Sequence, residues 1–192
     1  MDKTSQKMGV IMSGGGARAA YQVGVLKAVA GILPANIPNP FPIICGASAG
    51  AINAASLAVY ANNFQQAVRR MEHVWGNFHV QQVFRADTRG MLYNWAKWLA
   101  ALTLGGLSKN NPTSLFDRQP LMQLLTRYLP CERIQAAIDA GWLHALSISA
   151  SGYSSGQSVS FYQGAPQIVP WKRATRVGCP ADITLDHLMA SS

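Results

Sequence analysis

The sequence predicts an α/β fold with a mostly parallel sheet, on three observations. An apolar run, a tight small-residue turn and a helix-spaced segment follow one another twice, over residues 7–33 and 41–61. Strand, helix, strand, helix in that order is the pattern of parallel strands joined by crossover helices. Apolar residues make up 49% of the 192 and charged residues 12%, a balance that fills a core and excludes a disordered chain. The length suits one domain, read as residues 1–192, with a core large enough to need neither disulfides nor metals.

Lys7 to Met12 reads as the first strand, and Ser13 to Gly16 as a glycine turn. Ala17 to Leu33 carries Val23, Leu26, Val29 and Leu33 at helical spacing. Pro34, Pro38, Pro40 and Pro42 mark a loop. Phe41 to Cys45 reads as a second, buried strand, and Ala49 to Ala61 as a helix of small residues that can approach a sheet closely. Further helices are expected at Phe64 to Val74, Gly90 to Leu104, Pro120 to Leu129 and Glu132 to Ala140. Trp142 to Ala150 and Ser158 to Tyr162 read as a strand pair joined by a Gly/Ser turn. Ala165 to Asp182 reads mostly as loop, and Thr184 begins a last helix. No internal repeat and no linker divides the chain.

Sixteen Lys and Arg against eight Asp and Glu give a net charge of +8. Such a balance suits anionic membrane or nucleic acid. No basic–aromatic interleaving accompanies it, so nucleic acid is not expected as a partner. Cys45, Cys131 and Cys179 are odd in number and widely spaced, which makes neither a disulfide framework nor a zinc pattern. They point to a reducing, cytoplasmic setting. No apolar signal-peptide core precedes the first strand. The uncharged stretch Phe41 to Asn62 is interrupted by Pro42, Gly46 and Gly50, and reads as strand, turn and buried helix rather than a membrane span.

Two motifs carry chemistry. The first is G-A-S-A-G at Gly46 to Gly50. A serine between two glycines, after a buried strand and before a helix, is a nucleophile elbow. The tight turn pushes the Ser48 hydroxyl out of the sheet edge, toward the positive end of the following helix. G-Y-S-S-G at Gly152 to Gly156 has the same pattern but lies between two strand-like runs, so Ser154 reads as a hairpin-turn residue.

The second motif is S-G-G-G-A-R-A at Ser13 to Ala19. Its glycines leave several N–H groups unobstructed at a helix start, where an oxyanion or a phosphate could be held. A dinucleotide fingerprint also requires an acidic residue about 20 residues on. None occurs before Glu72, and no G-K-[ST] follows for a phosphate loop. With an elbow serine one strand–helix unit later, an oxyanion hole is the coherent use. No organic cofactor and no metal site are expected.

V-I-M-S-G-G-G-A-R-A-A-Y-Q-V-G-V-L followed by I-C-G-A-S-A-G-A-I-N-A resembles the patatin-like phospholipase family. S-L-F-D-R-Q-P-L at Ser114 to Leu121, the strand pair at Ser149 to Tyr162 and D-H-L-M-A-S-S at Asp186 to Ser192 resemble its later regions. Ala19 stands where many members carry a third glycine. The resemblance implies a three-layer hydrolase domain and a Ser–Asp dyad acting on acyl-ester lipids, phospholipids among them, as a phospholipase A or lysophospholipase. It makes Ser48 the nucleophile, Gly46 and Gly50 its elbow, and the Gly14, Gly15 and Gly16 amides, helped by Ala49, the oxyanion hole. Arg18 takes the place of the family's basic residue after the glycines, to steady the loop or face a lipid phosphate. A membrane surface is an implied partner, met by a peripheral protein.

The family's aspartate lies in a D-G-G or D-G-A motif, and no D-G pair occurs in these 192 residues. Asp182 and Asp186 sit in unrelated contexts. The expectation is a chain that ends before the aspartate, with a sheet incomplete at its C-terminus and inactive by itself. A fragment that binds lipid or acyl chains without turnover is the alternative. A Ser–His–Asp esterase is a further rival, since Asp117 or Asp139 with His144 or His187 satisfies that chain order. Tyr93 to Leu107, with Trp95, Lys97 and Trp98, reads either as a core helix or as an interfacial element.

Overall fold

The computed structural model describes residues 8–77 and 119–192. In chain order they form β1 (Gly9–Met12), a 3₁₀ turn (Gly16–Arg18), α1 (Ala19–Ile32), β2 (Ile43–Ala47), α2 (Ala49–Val59) and α3 (Phe64–Gly76). There follow α4 (Gln119–Tyr128), α5 (Arg133–Asp139), β3 (Ala145–Ser151), β4 (Ser158–Gly164), β5 (Trp171–Lys172), β6 (Arg176–Pro180) and α6 (Leu185–Ser191). The chain divides into two compact units, Met1–Gly76 with Leu129–Ser192, and Asn77–Tyr128. In the second, α4 buries Leu121 and Leu125, four residues apart on one face. The tryptophan-rich segment expected to be helical at 90–104 lies outside the described residues, as does Asp117.

The first unit is a mixed α/β fold around an open six-stranded sheet, ordered β1-β2-β3-β4-β6-β5. β1, β2 and β3 run parallel, with Met12 beside Gly46 and Ala47 beside Ser149. β4 returns antiparallel to β3, from Ser158 opposite Ser151 to Gly164 opposite Ala145. β6 then runs parallel to β4, and β5 antiparallel to β6. Three of the five pairings are parallel. β1 stands at one edge, with Ile11 83% exposed.

The elements follow from residue size. α2 is built mostly of alanine, glycine and serine, and every residue from Asn53 to Val59 is buried. Small side chains let its backbone lie close over β2, while Leu57 fills the core with Ile44, Leu146 and Ile148. α1 buries Ala19, Val23 and Leu26 and leaves its opposite face exposed, as its spacing predicts. α3 packs along α1, where Lys27 pairs with Glu72. That pair is exposed, so it contributes less than about 1 kcal/mol. Thr184 and His187 cap α6 reciprocally: the Thr184 amide donates to His187 Nδ1 at 3.1 Å.

One expectation is corrected. Residues 165–182, read as loop, contain β5 and β6. Glycine and proline hid the strand, since Gly178 and Pro180 lie within it and Pro170 just before β5. The open side of β4 supplies the hydrogen-bond partners that local propensity does not. The G-Y-S-S-G stretch is the β3–β4 hairpin turn, closed by the Gly152 amide donating to the Gln157 carbonyl at 2.7 Å. Among the described residues, no helix is long and apolar enough to cross a membrane.

Candidate active site

The parallel strands β1, β2 and β3 deliver three chain segments to one end of the sheet. β2 ends at Ala47, and the next residue, Ser48, adopts φ 52° and ψ −131° before α2 begins. A non-glycine residue held at positive φ costs on the order of 1–3 kcal/mol and persists only where its surroundings fix it. Here two hydrogen bonds to its main chain do so, and a third anchors one of the partners. The Ser48 carbonyl accepts from the Ala51 amide at 2.8 Å. The Ser48 amide donates to the Ser191 hydroxyl at 2.8 Å, and that hydroxyl donates to the Ser149 carbonyl at 2.6 Å. Ser191 thereby bridges β2 and β3 where β2 leaves the sheet.

The glycines on either side of the serine are required by close approach. A Cβ on Gly46 would lie 2.7 Å from the Ala54 Cβ and from the Gly50 carbonyl oxygen. A Cβ on Gly50 would collide with the Met12 and Ser13 carbonyls, so α2 can start against the end of β1 only with glycine there. Ser48 itself is half-buried, its hydroxyl at the sheet end rather than in the core.

The glycine loop lies beside it. A Cβ on Gly14 would fall 3.0 Å from the Ser48 Cβ and 3.7 Å from its Oγ. Gly14, Gly15 and Gly16 are exposed, and Gly16 takes φ 55°. The Gly15 carbonyl accepts from the Arg18 amide at 3.1 Å and closes the 3₁₀ turn. Ala49 opens α2 with its amide in the unpaired first turn of that helix. A cleft of about 610 Å³ opens between this loop and the first turns of α1, lined by Ser13, Gly14, Ala17, Arg18, Tyr21 and Gln22 among others. Arg18 is exposed on its rim.

Sequence reasoning missed a chain of side chains behind the loop. Asn53, fully buried in α2, accepts from the Trp75 indole N–H at 2.8 Å. Its amide group donates to the Ala19 carbonyl and to Gln22 Oε1, at 3.1 and 3.0 Å. Gln22 in turn donates to the Ser13 carbonyl at 2.8 Å. α3, α2 and α1 thus hold the residue that enters the glycine loop. The available signal was one amide side chain inside a helix otherwise apolar but for Ser56. Ser191 was read only within a longer resemblance, and nothing local marks it.

Two of the histidine and aspartate alternatives, His187 and Asp139, have other occupations. His187 spends Nδ1 on the α6 cap and packs its ring on Phe161, with centroids 4.7 Å apart. Asp139 accepts from Gln135 within α5. Cys45, Cys131 and Cys179 are free thiols. Burial pushes the Cys45 thiol up, and burial with the adjacent Glu132 carboxylate pushes Cys131 up to about 11.

A family model described as Patatin-like phospholipase matches residues 10–163. The chain belongs to the patatin-like phospholipase family. The match covers both motifs and runs from within β1 through most of β4, so the strand–elbow–helix unit lies inside it. Patatin-like domains are lipid acyl hydrolases, and a lipid is the partner class of this one. No curated protein and no solved structure matches the chain significantly.

Proposed function

We propose that this patatin-like chain supplies the nucleophile and oxyanion hole of a lipid acyl-ester hydrolase of phospholipase A or lysophospholipase type. The observation that carries the reading is Ser48 at positive φ on top of β2, with Gly14 against it. Ser48 Oγ attacks the ester carbonyl carbon as its proton passes to an aspartate base, and a tetrahedral oxyanion forms. Collapse expels the alcohol and leaves an acyl-Ser48 ester, which water then hydrolyses with the same aspartate as base. The Gly14, Gly15 and Gly16 amides, with Ala49, would face the oxyanion. One such donor contributes about 3–4 kcal/mol to the transition state.

The aspartate is proposed to come from sequence outside these 192 residues, because no D-G pair occurs within them. The caps and contacts of His187 and Asp139 weigh against a Ser–His–Asp triad. The protein is read as cytoplasmic and peripheral to membranes. A second reading, lipid or acyl binding without turnover, is favoured by the missing D-G pair and applies to these residues taken alone.

Intact-mass analysis after treatment with a fluorophosphonate ester tests the proposal. The 192-residue chain, its Ser48→Ala variant and a chain extended through a D-G motif are compared. One adduct on the extended chain, abolished by Ser48→Ala, is expected, with slow labelling of the short chain. Fast labelling of the short chain would place the base within these residues. No labelling of either leaves lipid binding as the function.

A further inference from the structure

We infer that the sheet end carrying Ser48 docks on an anionic phospholipid surface, through Lys172, Arg173 and Arg176 on one flank and Arg18 on the other. The inference rests on the lipid-hydrolase reading and adds the surface and its charge preference. Strand direction places these groups. β2 and β3 run toward the Ser48 end, and Ser151 pairs with Ser158, which pairs with Arg176. Lys172 pairs with Val177, so the turn at 173–175 caps the same end. β6 lies three strands from β2, roughly 14 Å away at the usual strand spacing. Arg18 follows the glycine loop on the β1 side. All four cations are exposed.

The carboxylates among the described residues lie elsewhere. Glu72 is paired with Lys27, Glu132 and Asp139 bound α5, and Asp182 and Asp186 follow the far end of β6. Among the described residues, no carboxylate side chain accompanies these cations at the nucleophile end. That end also carries aromatic groups suited to the boundary between water and acyl chains. Trp171 lies over Gly178, where a Cβ would collide with the indole, and remains 38% exposed. Tyr153 is fully exposed in the β3–β4 turn at the same end. Exposed cations next to amphipathic rings match an anionic headgroup layer: the charges meet phosphates while the rings reach the interface.

The test is co-sedimentation of the 192-residue chain with vesicles of phosphatidylcholine alone, or of equal parts phosphatidylcholine and phosphatidylserine. Binding to the anionic vesicles, weakening with salt, is expected, with little binding to neutral ones. Arg173→Gln should weaken binding about fivefold, and the combined K172Q, R173Q and R176Q variant about a hundredfold. These positions are exposed, so melting temperatures should hold. Arg69→Gln, on α3 toward the other end, should bind like the parent. Equal binding to neutral vesicles, an unaffected triple variant, or tighter binding to a short DNA duplex would each overturn the inference. Ser48→Ala should bind as the parent does. Vesicle binding by the 192-residue chain, with no fluorophosphonate labelling of the extended chain, would sink the hydrolase reading and leave this surface standing.

Discussion

The Ser48 amide donates to the hydroxyl of Ser191, a residue 143 positions later, and the same hydroxyl donates to Ser149. The bridge satisfies two main-chain groups at the point where β2 departs from β3 to form the elbow. Ser191→Ala leaves both without their partner, at a cost of about 1–3 kcal/mol. We expect a lower urea midpoint and slower fluorophosphonate labelling of Ser48 in the extended chain. Hydrogen exchange gives the sharper readout, because the Ser48 amide should lose protection while amides of α2 keep theirs. Unchanged protection at Ser48 would mean that the bridge does not hold the elbow.

Gly14 and Gly50 separate function from folding. A methyl group at Gly14 would meet only the Ser48 side chain and the Ala47 carbonyl, at 3.0 Å and beyond, on an exposed loop. Gly14→Ala should therefore leave the melting temperature within a few degrees, a change below about 1 kcal/mol, yet cut labelling of the extended chain at least tenfold by crowding the Ser48 hydroxyl. Gly50→Ala drives a methyl into the Met12 and Ser13 carbonyls, which cannot move without breaking the β1–α2 contact. It should destabilise by about 2 kcal/mol or more. Thermal melts and labelling rates on the two variants check the contrast, and a reversed pattern would refute the assignment.

Part of the fold was legible in sequence because close packing demands particular residues at particular places. Gly46, Ser48 and Gly50 announce the elbow, since only glycine fits beside Ala54 and the β1 carbonyls. The α1 and α2 helices follow from Val23 and Leu26 and from the run of small residues. What local patterns could not give was long-range closure. β6 exists because β4 has an open side, against the weak propensity of Gly178 and Pro180. Ser191 and Asn53 matter only through partners brought near by the finished fold.

Cys131 provides a check on the placement of α5. Its thiol is pushed up to about 11, by burial first and by the Glu132 carboxylate second. The folded state therefore favours the neutral thiol. The corresponding stability is present below the ordinary value of 9.0 and is lost as pH rises through about 11. Alkylation near pH 8 should be about a hundredfold slower at Cys131 in the folded chain than in urea. It should rise about tenfold per pH unit up to the raised value. Peptide mass spectrometry after timed iodoacetamide treatment resolves the site, and equal rates in folded and unfolded chain would contradict the burial.

Asn53 links stability to the glycine loop. It is fully buried, joins Trp75 to Ala19 and Gln22, and reaches Ser13 through Gln22. Asn53→Leu fills similar volume but removes the acceptor of the Trp75 N–H and the donor to the Gln22 amide oxygen, while the Ala19 carbonyl keeps its place in the α1 helix. The expected cost is about 2–4 kcal/mol, since each stranded buried group contributes. Gln22→Ala removes its bonds to Asn53 and to Ser13, leaves Asn53 its Trp75 and Ala19 partners, and at a partly exposed site should cost about 1 kcal/mol. The two variants should nevertheless slow Ser48 labelling to a similar degree, because both release Ser13 and with it the entry to the loop. A double variant that slows labelling no further than Asn53→Leu alone would identify one continuous path. Additive losses would mean that Asn53 supports the site through α2 packing instead.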